Sequence, residues 1–235
     1  MPLTRAPPDL IILDFDGVVV DSELLANTLL AEFLTGEGLP TTLEQSMTHY
    51  MGRRWTDAEA RIAARMGRPL PADFHERYRA HSSGPMRARV EAIAGVAEFV
   101  QAHSHRRFCV ASSSNPGWLD HGVDKFGLRP ALGVNLFSAT AVARGKPAPD
   151  IFLHAANQMD IHPSRCAVIE DSPAGIEGAI AAGMMAIGFL GGSHIRAGHA
   201  ERLNAAGAHG LAHTYADVAV LLRLDIRPEA SNHPA

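Results

Sequence analysis

Short, continuous apolar runs recur along the chain at residues 10–14, 108–112, 134–137, 167–170 and 185–189, where the sequence reads LIILD, FCVAS, VNLF, AVIE and MAIGF. Runs of this length without polar alternation fit strands covered on both faces. Stretches with helical patterning lie between them, at residues 96–103, 118–126, 150–159 and 174–182. A strand-then-helix alternation of this kind predicts an α/β fold, a parallel sheet wrapped by helices.

Residues 22–89 break the alternation, because no strand-like run occurs there. LLANTLLAEFLTGEG reads as an amphipathic helix closed by glycine, and PADFHERYRAH as another. TDAEARIAARMG has Thr56 as a candidate N-cap, Glu59 as its capping-box partner and Gly67 as terminator. The expected organisation is a core of residues 1–20 and 90–235 with an all-helical insert at 21–89. The exits of the insert are expected near Asp21–Ser22 and near HSSGPM.

In open parallel sheets, ligands bind outside the carboxyl ends of the strands. Those ends carry the chemistry here. Asp14 and Asp16 follow the first run, Ser112, Ser113 and Ser114 the second, and Glu170 and Asp171 the fourth, while Lys146 sits in the loop after the third. If extended geometry continues past Asp14, Asp14 and Asp16 point the same way. Adjacent carboxylates repel and invite a cation, and an oxygen-only donor set suits Mg²⁺. With Lys146 added, the set suits a phosphate group. An aspartate can attack phosphorus, and a lysine and a metal can spread the charge of the transferring group. Taken singly, the serines fit a polar loop and Lys146 a solvated loop lysine. Ser172 and Pro173 form an N-cap and first helical position, so Asp171 alone serves equally well as an acid that helps start a helix.

The remaining features exclude more than they assign. A formal net charge of -4 argues against a general nucleic-acid binder. No apolar run is long enough to span a bilayer, and the first residues lack the apolar segment of a signal peptide. Cys109 and Cys166 sit inside apolar stretches and read as reduced core thiols, which makes a cytoplasmic setting the expectation. His209 and His213 are four apart, but with no acid at a useful spacing they read as surface histidines.

Four segments, in order, resemble motifs of the haloacid dehalogenase superfamily: DFDGVVVDSE the first, VASSSN the second, Lys146 in RGKPAPDIF the third and VIEDSPAGIEGAIAAGM the fourth. The resemblance implies a Rossmann-like core with an inserted helical cap. It implies Asp14 as nucleophile and Asp16 as general acid and then base, with the Asp16 main-chain carbonyl also on Mg²⁺. It further implies Ser112 on the phosphoryl group, Lys146 stabilising Asp14 and the phosphate, and Glu170 and Asp171 holding Mg²⁺ directly or through water. An acid at position 16 favours phosphate esters, because an alkoxide leaving group needs a proton and a halide does not.

The subgroup resembles the β-phosphoglucomutase-like phosphatases, including those that act on sugar phosphates. Where the mutase carries a helix histidine this chain has Ala26, and where the mutase carries a cap arginine the ungapped count reaches Trp55. Both departures favour a hydrolase over a mutase. A receiver-like phosphoryl-binding module is a third reading, opposed by Asp16 and the large insert. The partner expected is a small phosphorylated metabolite, bound by a monomer or weak homodimer with no nucleic acid and no membrane involved. Substrate selection is expected from Arg53 and Arg54 in HYMGRRWTD, with Glu23, Ser113 and Asn115 as further candidates for contact.

Overall fold

The structure, a computed structural model, describes residues 6–51 and 55–224. Six parallel strands form one sheet in the order β3-β2-β1-β4-β5-β6. They are β1 (Leu10–Leu13), β2 (Arg107–Ser112), β3 (Leu136–Ser138), β4 (Cys166–Glu170), β5 (Met185–Phe189) and β6 (Gly210–Ala212). The chain starts in the middle, builds outward through β2 and β3, then returns to β4 beside β1. The strand order therefore reverses at β1, and the carboxyl end of β1 lies at a switch point of the kind that positions ligands in α/β sheets. Every residue of β1, β4 and β5 is buried, which accounts for their unbroken apolar sequences.

The chain divides into two compact units, between Val19 and Val20 and again between Ala92 and Ile93. The second unit holds α1 (Glu23–Gly36), α2 (Leu43–His49), α3 (Trp55–Met66) and α4 (Phe74–Arg89). Their core gathers Leu30, Phe33, Leu34, Tyr50, Ala58, Ile62 and Phe74. An antiparallel bridge between Val20 and Ala92 and a hydrogen bond from the Asp21 N–H to the Glu91 carbonyl (2.9 Å) close this unit where the chain enters and leaves it. The first unit carries the sheet with α5 (Val96–Ala102), α6 (Pro116–Lys125), α7 (Arg129–Leu132), α8 (Asp150–Gln158), α9 (Pro173–Ala181), α10 (His199–Ala205) and α11 (Tyr215–Leu221). Cys109 and Cys166 are buried free thiols on the β2 and β4 side of one core cluster. No helix among the described residues is long and apolar enough to cross a membrane.

Three details differ from the sequence expectations. HSSGPM is not an exit, because α4 continues through it with Pro85 inside the helix and closes with the Val90 N–H on the Met86 carbonyl. Proline at 85 removes one intrahelical donor, and the rest of this long helix tolerates the loss. Thr56 is not an N-cap, since α3 already begins at Trp55. The short helix α2 is started by a capping box in which Thr42 and Gln45 exchange hydrogen bonds. His209 and His213 are both exposed, as the sequence reading expected, and they flank strand β6.

The turn after β1 is pinned from the far end of the chain. Tyr215, the first residue of α11, donates its hydroxyl to the Val18 carbonyl at 2.7 Å, and the pair is buried. Tyr215→Phe leaves that acceptor without its partner, so we expect a loss of about 1–3 kcal/mol. Urea unfolding should read this as a lower midpoint with an unchanged m-value.

Candidate active site

β1 ends at Leu13, whose neighbours in register are Val110 of β2 and Ile169 of β4. Asp14 is the next residue, and its N–H still bonds the Ile169 carbonyl at 3.0 Å. The strand geometry thus carries Asp14 to the level of Ala111 and Glu170. Lys146 reaches into this gap from the loop before α8. Its ammonium donates to Asp14 Oδ1 (2.6 Å), Glu170 Oε1 (2.6 Å) and the Ala111 carbonyl (3.2 Å). The other oxygen of Glu170 accepts from the Ser172 N–H and hydroxyl, each at 2.8 Å. Ser172 also caps α9 by accepting from the Gly175 N–H at 3.1 Å. A Cβ at Gly175 would lie 1.8 Å from Glu170 Oε1, so the helix start must be free of side chain for Glu170 to fit.

Asp14, Glu170 and Asp171 each offer an oxygen within 4.8 Å of the others, and all three residues are buried. Burial pulls the pKa of Lys146 down, but Asp14 and Glu170 outweigh that, raise it above its ordinary value and hold the ammonium charged. One ammonium cannot balance three clustered acids. Burial first, with Glu170 as an added repulsion, pushes both Asp14 and Asp171 well above the ordinary carboxyl value of 3.8. An oxygen-only donor set short of positive charge fits a hard divalent cation.

Asp16 is turned elsewhere. The backbone bends at Phe15 and turns at Gly17 (φ +80°), so the extended geometry that would align the two aspartates stops at Asp14. Asp16 Oδ1 accepts from the Trp118 indole N–H at 2.9 Å, and its Oδ2 accepts from the Ser114 hydroxyl. The Trp118 ring meets Phe15 edge-on at 6.3 Å. Trp118 carried no functional expectation from the sequence. Its signal was available only as an N–H-bearing aromatic in the first turn of the helix that follows the serine loop. In that loop the buried Ser112 hydroxyl oxygen accepts from the Ser114 N–H at 3.0 Å, while the Ser114 carbonyl accepts from Ser138 at 2.7 Å.

The remaining candidates fall in different places. Ser113 is exposed on the same loop. Asn115 caps α6 by accepting from the Trp118 N–H at 3.0 Å, a structural task that the sequence reading did not assign to it. Glu23 is the first residue of α1 in the helical unit, where its charge adds to the burial that raises the pKa of Tyr78. Arg53 and Arg54 lie outside the described residues.

A family model described as haloacid dehalogenase-like hydrolase matches residues 8–183. The chain is 26% identical to the 6-phosphogluconate phosphatase of Escherichia coli over 185 residues, 78% of this chain and 83% of that one. Among solved structures, a conserved haloacid dehalogenase-like protein from Agrobacterium tumefaciens is 36% identical with a TM-score of 0.82, covering 92% of this chain and 97% of that chain. A HAD family hydrolase from Deinococcus radiodurans, solved with bound phosphate and sodium, is 32% identical with a TM-score of 0.80, covering 93% and 97%.

A carboxyl whose folded-state pKa lies above its unfolded value holds its proton more tightly in the folded chain. Its contribution to stability is fully present below about pH 4 and is lost as pH rises through the folded-state value. In protein stripped of divalent cations, Asp14→Asn should therefore raise the melting temperature at pH 7, by about 2–4 °C per kcal/mol of strain relieved. The gain should shrink as the pH is lowered toward 4, and a melting temperature below wild type at pH 7 would contradict the electrostatic reading.

Proposed function

The chain belongs to the haloacid dehalogenase-like hydrolases, and from that premise we propose that this phosphatase hydrolyses a small phosphorylated metabolite, a sugar or sugar-acid phosphate, through an aspartyl-phosphate on Asp14, with Mg²⁺ as its cofactor. The observation that carries the reading is the Lys146 ammonium on Asp14 Oδ1 at the carboxyl end of the central strand. That contact fixes the carboxylate and leaves its second oxygen for attack on phosphorus. Similarity to a 6-phosphogluconate phosphatase supports the substrate class.

Asp14, Asp171 and the main-chain carbonyl of Asp16 would hold Mg²⁺, with Glu170 acting through water because Lys146 and Ser172 already occupy its oxygens. Bound there, the cation would offset the repulsion between Asp14 and an incoming phosphate. In the first step a bond forms from Asp14 to phosphorus as the ester P–O bond breaks, and Asp16 gives a proton to the departing alcohol oxygen. In the second, Asp16 takes a proton from water as that water attacks phosphorus and releases Asp14. The hydrogen bonds from Trp118 and Ser114 hold the Asp16 carboxylate in one orientation between these proton transfers. Ser112 accepts from the Ser114 N–H and keeps its own hydroxyl proton to donate to a phosphate oxygen. Arg53 and Arg54, with Glu23, Ser113 and Asn115, are the residues we propose for contact with the rest of the substrate.

A screen of phosphorylated metabolites with and without Mg²⁺ tests this. We expect phosphate release from sugar or sugar-acid phosphates that depends on Mg²⁺. Asp14→Asn should lower kcat by at least about 10³-fold, as loss of a nucleophile does. Full activity in that variant would refute the mechanism. Conversion of glucose 1-phosphate to its isomer faster than release of phosphate would make the enzyme a mutase instead.

A further inference from the structure

Asp171 of the acid cluster is held by two histidines from a segment that none of the four motifs contains. After β5 the chain reads GGSHIRAGHA, residues 191–200. His194 from this loop places Nε2 2.9 Å from Asp171 Oδ2, with both side chains almost fully buried at 3% and 9% exposure. His199, the first residue of α10, places Nε2 2.6 Å from the Asp171 main-chain carbonyl. The Arg202 guanidinium donates to His199 Nδ1 at 2.8 Å. Arginine has no acceptor, so Nδ1 must be the unprotonated nitrogen and the Nε2–H of His199 donates to the carbonyl. The two imidazoles meet edge to face at 5.8 Å.

Two glycines make room for this arrangement. A Cβ at Gly17 would lie 2.1 Å from Asp171 Oδ2 and 3.0 Å from His194 Cε1. A Cβ at Gly192 would lie 2.6 Å from His194 Nδ1. Side chain and main chain of Asp171 are thus held by separate histidines, and the contact with His194 engages only one carboxylate oxygen.

We propose that His194 is a positioning residue for the metal site: it holds Asp171 Oδ2 so that Oδ1 is presented to the divalent cation, while His199, fixed by Arg202, anchors the same residue through its carbonyl. The proposal rests on the metal-dependent reading above. A hydrogen bond to the outer oxygen of a ligating carboxylate fixes its rotamer before the metal arrives, and such contacts commonly contribute 10–100-fold in affinity. Without His194, Asp171 is free to turn toward other donors, and binding must first reorder it.

Calorimetric titration of the metal-free protein with Mg²⁺ tests this, with folding of each variant checked by thermal melting. His194→Ala should weaken Mg²⁺ about 10–100-fold. The Mg²⁺ concentration for half-maximal turnover should rise in step, with a smaller change in rate at saturating Mg²⁺. His194→Gln, whose amide N–H can reach the same oxygen, should recover affinity to within a few-fold. Gly192→Ala, which displaces the His194 ring without touching Asp171, should weaken Mg²⁺ as well and gives an answer even if His194→Ala does not fold. Wild-type affinity in folded His194→Ala or Gly192→Ala would overturn the proposal, as would a folded His194→Gln as weak as His194→Ala. Absence of saturable Mg²⁺ binding by the wild type would instead overturn the metal-dependent reading, and this proposal with it.

Discussion

The buried ammonium of Lys146 between Asp14 and Glu170 is the contact on which the rest of the site depends. Carboxylates at the end of a buried strand carry a large desolvation cost unless they are paired. Lys146 pairs two of them and at the same time ties β1 to β4 and to the Ala111 carbonyl of β2. It does not complete the balance. Asp171 remains beside Glu170, and burial first, with the repulsion from Glu170 added, pushes up the pKa values of Asp14 and Asp171. The fold thus holds a site strained by uncompensated negative charge, which a divalent cation would relieve.

The surrounding structure holds this strain in place. Gly175 leaves room for Glu170 and Gly17 leaves room for Asp171, and at each position an added Cβ would overlap a carboxylate oxygen. The reversal of strand order at β1 brings Asp14 and Glu170 to one edge from segments far apart in sequence. Asp16, two residues beyond Asp14, is turned away by the bend at Phe15 and taken up by Trp118 and Ser114. The two aspartates of one motif therefore occupy separate environments, one bound to a cationic side chain and the other to neutral donors. That separation suits one residue to attack and the other to move protons.

The sheet was legible in the sequence because its central strands are buried on both faces and so read as unbroken apolar runs. β6 was not, since GLA is too short to make such a run. The third strand lies one to two residues later than its apolar signal, because the exposed Val134 belongs to the turn before it. The helical unit was legible as a unit, but α2 escaped notice although its capping box, Thr42 and Gln45, was present to be read. The acids and lysine that gather at the strand ends followed from topology alone. Trp118, His194 and His199 did not. They act through single contacts across 28 to 102 residues or from a neighbouring loop, and no local spacing marks such contacts. Asn115, read from its place near the serine loop as a candidate for substrate contact, also starts a helix, a task the sequence reading did not assign to it.

The central claim is that Asp14, held by Lys146 and made tolerable by a divalent cation, becomes covalently phosphorylated. Acid quenching of the enzyme during turnover of a phosphate-labelled substrate, followed by mapping of the labelled peptide, tests this most directly. The account predicts label on Asp14, formed only when Mg²⁺ is present and lost on chase with unlabelled substrate. Sustained phosphate release with no label on Asp14 at any quench time, or label on another residue, would contradict it.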